Sequence, residues 1–177
     1  TIALIVSDIA NPSFATMASA AEAYAHEYDY SLLVFNTHDD MEREARYLQT
    51  AVERWIDGVL FVSAQDQMTG LDTLQSERLP SVAIDRIPSG YDGPSVTLNN
   101  VEAGRIAADH LLDLGHTCIG HISGPRALRL ARERLEGFNR ALAARGLQSQ
   151  SAVYGEGNWG CESGYDAMKR ILAGQIR

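Results

Sequence analysis

Polar residues gather at six places where a run of β-forming residues ends: Ser7-Asp8-Ile9-Ala10-Asn11, Asn36-Thr37-His38-Asp39, Ser63-Ala64-Gln65-Asp66, Asp85-Arg86, Asn99-Asn100 and Ser123-Gly124-Pro125-Arg126. Carboxylates, planar amides and guanidinium groups hydrogen-bond hydroxyls in fixed directions. An aromatic ring nearby would give a sugar an apolar face to stack on. A lining of this kind suits a polar small molecule. It does not assemble a known catalytic set: there is no GxSxG nucleophile elbow, no GxxxxGK[ST] loop and no HExxH or Cys/His cluster, the five His being scattered. No cofactor and no metal are expected. Asp8 and Asp85 at strand ends are the one pair that would make an acidic pocket for magnesium or phosphoryl transfer. Against that reading, no second Asp stands two residues after Asp8, and no lysine is placed near either carboxylate.

The elements that must present these residues alternate. Strands are expected at residues 2–7, 31–36, 58–63, 81–85, 96–98, 118–123 and 152–154, most of them nearly continuous in apolar residues, as in a parallel sheet covered on both faces. Helices are expected between them. The first follows Asn11-Pro12, where Asn can cap and Pro can take the first helical position; its inward face is Phe14, Met17, Ala18, Ala21, Ala25 and Tyr28. The second runs from about Asp40 to Ile56, with Ala45, Leu48, Val52 and Trp55 inward. A short third includes Met68, Leu71 and Leu74 and is stopped by Pro80. The fourth buries Ile106, Leu111 and Leu114 and ends at Gly115; the fifth buries Leu128, Leu135, Phe138 and Leu142 and ends at Gly146; the last buries Tyr165, Met168 and Leu172 and ends near Gly174. This order means βαβ units and an α/β fold of doubly wound parallel sheets, whose ligands bind beyond the carboxyl ends of the strands. The Pro- and Gly-rich loop 86–95 is the best break in the chain, with a crossover between two sheets there or just after residues 96–98.

Composition bounds the rest. The chain has 177 residues, 45% of them hydrophobic, enough to bury a sizeable core in one domain or two small ones. Acidic residues number 23 against 15 basic, a formal charge of -8, which repels phosphate backbones; this segment is not expected to bind DNA by itself. No apolar run reaches the roughly 18 residues of a membrane span, and no membrane partner is expected. Cys118 and Cys161 have no CxxC spacing and read as reduced core residues, which fits a cytoplasmic protein. The chain opens inside an apolar strand, so its natural N-terminus is expected to lie upstream.

Taken in order, the motifs resemble the effector domains of the lactose-repressor/galactose-repressor (LacI/GalR) family. Residues 2–14, Ile2-Ala3-Leu4-Ile5-Val6-Ser7-Asp8-Ile9-Ala10-Asn11-Pro12-Ser13-Phe14, are similar to that family's opening "IGLIVPDISNPFF". Asp57-Gly58-Val59-Leu60, Leu79-Pro80-Ser81-Val82 before Asp85-Arg86, Leu112-Asp113-Leu114-Gly115-His116, Ile122-Ser123-Gly124-Pro125, Ala131-Arg132-Glu133-Arg134-Leu135-Glu136-Gly137-Phe138 and Gly155-Glu156-Gly157-Asn158-Trp159 follow in the family's order. Each is weak alone; the ordered set is specific and covers essentially the whole chain.

The resemblance implies a type I periplasmic-binding-protein-like fold, with an N-terminal effector-binding subdomain over residues 1–98 and a partial C-terminal one over 99–177, closing over a sugar or related metabolite. It implies a transcriptional repressor and not an enzyme, a homodimer, and operator DNA contacted through an N-terminal head not present in this sequence. Carried over by position, the pocket would include Ser13 and Phe14 from the first helix start, Asp85 after the fourth strand, Arg134, and Trp159 at a position whose aromatic ring stacks on ligand in sugar-binding members. Each has a plainer alternative. Phe14 fits a core position, and Asp85 can pair with Arg86 or cap its loop. Arg134 lies on a charge-rich helix whose default is a solvated face, and Asn11 is better read as a cap than as a ligand contact. The family's helix-turn-helix and hinge helix are absent, and the sequence ends at residues 172–177, before the family's "FAANDxMA" segment, so the C-terminal subdomain is expected to be incomplete, with unpaired sheet edges. A transport-type periplasmic sugar-binding protein is the alternative of the same fold; a small α/β phosphoryl-transfer enzyme is the alternative of a different class.

Overall fold

β1 (Ile2–Val6) has an apolar residue at every position. Side chains alternate across a strand, so Ala3 and Ile5 enter one face of the sheet and Leu4 and Val6 the other; all four are fully buried. The computed structural model describes residues 1–147 and 152–174. It divides into two compact units, Thr1–Thr97 and Leu98–Arg177.

In the first unit, β1 lies between β2 (Leu32–Asn36) and β3 (Gly58–Phe61) in a parallel five-stranded sheet that continues with β4 (Ser81–Ile84) and β5 (Ser95–Val96), in the order β2-β1-β3-β4-β5. On one face, Ala3 and Ile5 pack with Val59, Phe61 and Ala83 against Leu48 and Ala51 of α2 (Met41–Glu53) and Leu74 of α3 (Leu71–Ser76). On the other, Leu4, Val6 and Val62 pack against Phe14, Met17, Ala18 and Ala21 of α1 (Pro12–Glu27). The sheet is therefore covered on both sides, as the apolar strand pattern requires. β2 is an edge strand, and its Leu33 and Val34 remain exposed.

In the second unit, β6 (Ile119–Ser123) and β7 (Ala152–Glu156) pair in parallel. α4 (Asn100–Asp113), α5 (Arg129–Ala144) and α6 (Cys161–Leu172) complete it. Its core joins Ala108 and Leu112 of α4, Ile119 of β6, and Phe138, Ala141 and Leu142 of α5. α4 and α5 meet backbone to backbone. A Cβ at Gly104 would overlap the Arg134 carbonyl, and one at Gly137 would overlap the Val101 carbonyl. Close approach of this kind admits only glycine.

All seven expected strands are present, each with ends within two residues of those expected. Asn11 caps α1, its Oδ1 accepting the Ser13 N–H at 3.0 Å, and Pro12 opens the helix. Five helices stop in the same way: the residue after the cap is left-handed, and the next N–H reaches back to the last turn, as in a Schellman motif. Gly115 (φ 87°) and Gly146 (φ 69°) do this as expected, and Asp29 (φ 62°), Trp55 (φ 53°) and Arg78 (φ 51°) do it without glycine. The returning bonds are Tyr30 N–H to Ala25 O, Ile56 to Ala51, Leu79 to Leu74, His116 to Leu111 and Leu147 to Leu142, at 3.0–3.2 Å.

That motif corrects one expectation. Trp55 does not face inward; as the left-handed residue past α2 it is 91% exposed, and Ile56 fills the core in its place. On α4 the inward residues are Gly104, Ala108 and Leu112, while Ile106 and Leu114 point out, because backbone contact with α5 selects the small-residue face. On α6, Ala167 packs inward and Tyr165, Met168 and Leu172 are exposed. Tyr28 of the first helical pattern is exposed as well. Cys118 and Cys161 are free but exposed, not core: the first lies in the turn before β6 and the second begins α6.

Relieving a left-handed, side-chain-bearing residue that is almost wholly exposed should stabilise the unit. Trp55→Gly is expected to raise stability by about 1 kcal/mol, read as a rise in Tm or in urea midpoint; a fall would show that the indole holds a contact.

Candidate functional site

The strand ends of the first unit are tightly organised. After β1, Ser7 is buried, and the Asp8 carboxylate accepts the Ala10 N–H at 3.0 Å, shaping the approach to α1. After β2, buried Thr37 is followed by His38 (φ 55°) and Asp39 (φ 57°), two successive left-handed residues, with the Asn36 amide oxygen accepting the Ile9 and His38 N–H groups at 3.4 Å. After β4, Asp85 (φ 61°) is left-handed too; its N–H donates to Val96 O at 2.9 Å. Arg86 does not pair with Asp85. Its guanidinium turns inward, and Nη1 donates to Asp39 Oδ1 at 2.6 Å, Ala64 O at 3.2 Å and Ser63 O at 3.5 Å.

Beneath these loops lies Glu44 of α2, fully buried. Its Oε1 accepts the Ala64 N–H at 2.9 Å, at the point where β3 leaves the sheet. Burial pushes its carboxyl up from near 4.5 to about 7, against the pull of the Ala64 N–H, the Ser63 hydroxyl and the Arg86 charge, with the Asp39 charge adding to the rise. It is not among the expected site residues, although a signal was there: Glu44 stands four residues before Leu48 on the inward side of an amphipathic helix, where a charge needs a reason.

Of the expected pocket residues in this unit, Ser13 is exposed at the start of α1, and Phe14 is only 5% exposed, packed with Leu4, Val6 and Val62. Asp85 is half-buried at the end of β4. Asp8, Asp39 and Asp85 belong to three strand ends, yet among the described residues no three His, Cys, Asp or Glu side chains gather as a metal site.

In the second unit, Arg134 and Trp159 come together. The Arg134 guanidinium lies 5.4 Å from the Trp159 ring centroid, a cation–π distance. Its Nε donates to the side-chain oxygen of buried Asn100 at 2.9 Å, and Asn100 in turn donates to Leu98 O at 3.3 Å. Its backbone is held by the glycine contact with α4. Arg134 is thus half-buried and fixed at both ends, not on a solvated face. Trp159 (φ 71°) lies over Gly124, where a Cβ would overlap the indole. Its indole N–H is buried with no hydrogen-bond partner among the described residues. His121, on β6, is held below its usual value by burial first, then by the nearby charges of Arg126 and Arg134. Asn100 and Gly124 stood among the strand-end residues of the sequence, but their roles as the support of Arg134 and the floor of Trp159 depend on contacts across the fold.

The segment Gly155-Glu156-Gly157-Asn158-Trp159-Gly160 has the GxGxxG spacing of a dinucleotide fingerprint, between a strand and a helix, which bears on the expectation of no nucleotide cofactor. Its geometry does not offer the amides a pyrophosphate needs. The Gly157 N–H donates to Ser123 O at 2.8 Å, the Asn158 N–H to Ser163 Oγ at 2.9 Å and the Gly160 N–H to Asn158 Oδ1 at 3.0 Å. The loop spends its donors on holding Trp159.

Parallel α/β units with polar strand ends and an Arg–Trp pair match a known family. A family model described as periplasmic binding proteins and the sugar binding domain of the LacI family matches residues 1–174. The chain belongs to this family. It is 30% identical to the ribose operon repressor of Escherichia coli (strain K12) over 178 aligned residues, covering 100% of this chain and 54% of that repressor. Among solved structures, it resembles the periplasmic binding protein/LacI transcriptional regulator of Alkaliphilus metalliredigens QYMF complexed with D-xylulofuranose (TM-score 0.82, 29% identity, 97% of this chain and 64% of that one). It also resembles the Cra transcriptional dual regulator of Pseudomonas putida in complex with fructose 1-phosphate (TM-score 0.88, 26% identity, 98% and 64%). The LacI-type relatives are transcriptional regulators and binding proteins, and the chain spans about half the length of the curated ones it matches. No helix among the described residues is long and apolar enough to cross a membrane.

The raised carboxyl of Glu44 has a definite pH signature. Between its ordinary value near 4.5 and its folded value of about 7, the native state holds a proton that the unfolded chain releases. The stability contributed by this group therefore falls as pH rises through that window and is level above it. Glu44→Gln keeps an acceptor for Ala64 and removes the titration. In urea unfolding, its stability relative to the parent should rise from pH 4.5 to 7.5 by on the order of 3 kcal/mol; a difference independent of pH would show that folding does not raise the Glu44 carboxyl.

Proposed function

We propose that this chain is the effector-sensing part of a cytoplasmic bacterial transcription repressor, and that its effector is a sugar or a related polyhydroxylated metabolite. The arrangement of Arg134 carries this reading. Its Nε is taken by Asn100, and among the described residues no partner occupies the two terminal nitrogens. A rigid donor fork is thus held beside an aromatic face, the combination that recognises a ring with vicinal hydroxyls or an acidic substituent. In this reading Trp159 supplies the stacking surface, and Ser13, Phe14 and Asp85 of the first unit are proposed as further effector contacts on the family resemblance alone. The sugars named in the complexes of similar proteins agree with the class. The effector is bound and released unchanged, and it acts by its different affinity for two arrangements of the protein. Operator DNA is contacted by other parts of the protein, since a chain of charge -8 repels phosphates.

D-ribose, D-xylulose and fructose 1-phosphate, added to the intact protein, test this. A ligand present at about 100 times its Kd should stabilise the native state by about 2.7 kcal/mol, a shift of several degrees in Tm. Arg134→Ala is expected to weaken binding roughly 10- to 100-fold, the value of a charged hydrogen-bonding group. Unchanged affinity in calorimetry would remove Arg134 from the site.

We also propose that the protein works as a homodimer. The first unit exposes Tyr24, Tyr28 and Tyr30 with Leu33 and Val34 of the edge strand, and the second exposes Tyr165, Met168 and Leu172 along α6. Apolar surface of this extent favours a protein partner. Sedimentation of the intact protein at micromolar concentration should give a dimer, and Tyr28→Glu with Tyr165→Glu should shift it toward monomer; a parent protein that sediments as a monomer would end the proposal.

A further inference from the structure

Three non-glycine residues at the strand ends of the first unit have left-handed backbones: His38, Asp39 and Asp85. Asp85 is the most constrained. The Arg86 N–H donates to Ile84 O at 2.6 Å, closing a three-residue turn around a central residue with φ of 61°. This is the rare, strained form of γ-turn. Such strain persists only where the surroundings over-determine it. Val96 O holds the Asp85 N–H from the β5 side. The other restraint is the side chain of the next residue.

The Arg86 side chain is 5% exposed. A single nitrogen, Nη1, reaches Asp39 Oδ1, Ala64 O and Ser63 O, while Nε has no partner among the described residues. One point of positive charge thus ties the end of β4 to the ends of β2 and β3. Both of its anchors are themselves fixed. Asp39 is bonded through its N–H to Ser7 O at 3.1 Å. Ala64 is held from the opposite side by Glu44, at a point where the ladder would otherwise continue: the Val62 N–H donates to Ile5 O, but two residues on the Ala64 N–H turns to the Glu44 carboxylate. A charge this deep is stable only with compensating charge and hydrogen bonds around it. Asp39 supplies both, and Glu44 supplies a second carboxyl nearby.

We infer that Arg86 is a positioning residue of the effector site: its buried guanidinium, locked to Asp39 and to the Ser63 and Ala64 carbonyls, sets the strained turn that presents Asp85. The inference rests on the reading above that Asp85 meets the effector. It assigns Arg86 no contact with ligand, and it explains why an arginine that follows a candidate ligand residue points away from it.

The test uses the intact protein with Arg86→Met and Arg86→Lys. Methionine keeps the stem and removes the donors; lysine restores a charged nitrogen with three donors, matching the three acceptors of Nη1. Two measurements are made: amide hydrogen exchange at Asp85 in the ligand-free protein, and D-ribose affinity by calorimetry. In Arg86→Met, exchange at Asp85 should speed at least tenfold while the β1 amides keep their protection, and D-ribose affinity should fall at least tenfold. In Arg86→Lys, both should stay within about threefold of the parent. Unchanged exchange at Asp85 in the methionine variant overturns the inference. So does a loss of protection shared by β1, or a lysine variant as impaired as the methionine one. A parent protein with no response to D-ribose counts against ribose as effector, and the exchange comparison then decides the clamp on its own.

Discussion

Burying the Arg86 guanidinium removes a charge from water, and that cost is offset only where donors, acceptors and opposite charge are placed around it. In the first unit this requirement organises the whole rim of the sheet. Asp39 must sit where β2 ends, the Ser63 and Ala64 carbonyls must turn toward the guanidinium where β3 ends, and the chain must bend sharply at Asp85 so that Arg86 can reach them. Glu44 supports the same arrangement from below, through the Ala64 N–H. The apolar core under the rim would tolerate other shapes of the loops above it. The buried charge does not.

The second unit reaches a similar precision by different means. Here backbone contact between α4 and α5, at Gly104 and Gly137, sets the place of Arg134, and Asn100 at the start of α4 orients its guanidinium. Trp159 is held by a loop that consumes its own amides and by the missing side chain at Gly124. One unit uses a polar clamp, and the other uses steric contact. In both, the residues proposed to meet the effector are supported by neighbours that do not meet it, which is what a preorganised site requires.

Much of this was legible in the sequence. The seven strands, the Asn11 cap, the glycine helix ends and the order of units follow from local rules, because apolar runs, capping side chains and left-handed glycines act over a few residues. The misassigned helix faces and the misplaced Trp55 have separate causes. Periodicity marks which residues are apolar, but not which of two apolar stripes a neighbour covers. On α4 the small-residue stripe wins because it lets α5 approach, and Ile106 and Leu114 are left outside. Trp55 was read as part of a helix that had in fact already ended, in a left-handed turn that occurs here without the glycine that usually signals it.

The sequence by itself determined the fold class, the family and the set of strand ends from which a site can be built, since these depend on patterns that survive without contacts. Tertiary structure decided how those ends are used. That Arg86 binds Asp39 rather than Asp85, that a glutamate on an apolar stripe terminates β3, and that Arg134 stacks on Trp159 instead of facing water all join residues 20 or more apart in the chain. No local rule encodes such pairings; they follow from where the sheets and helices bring charges and rings together.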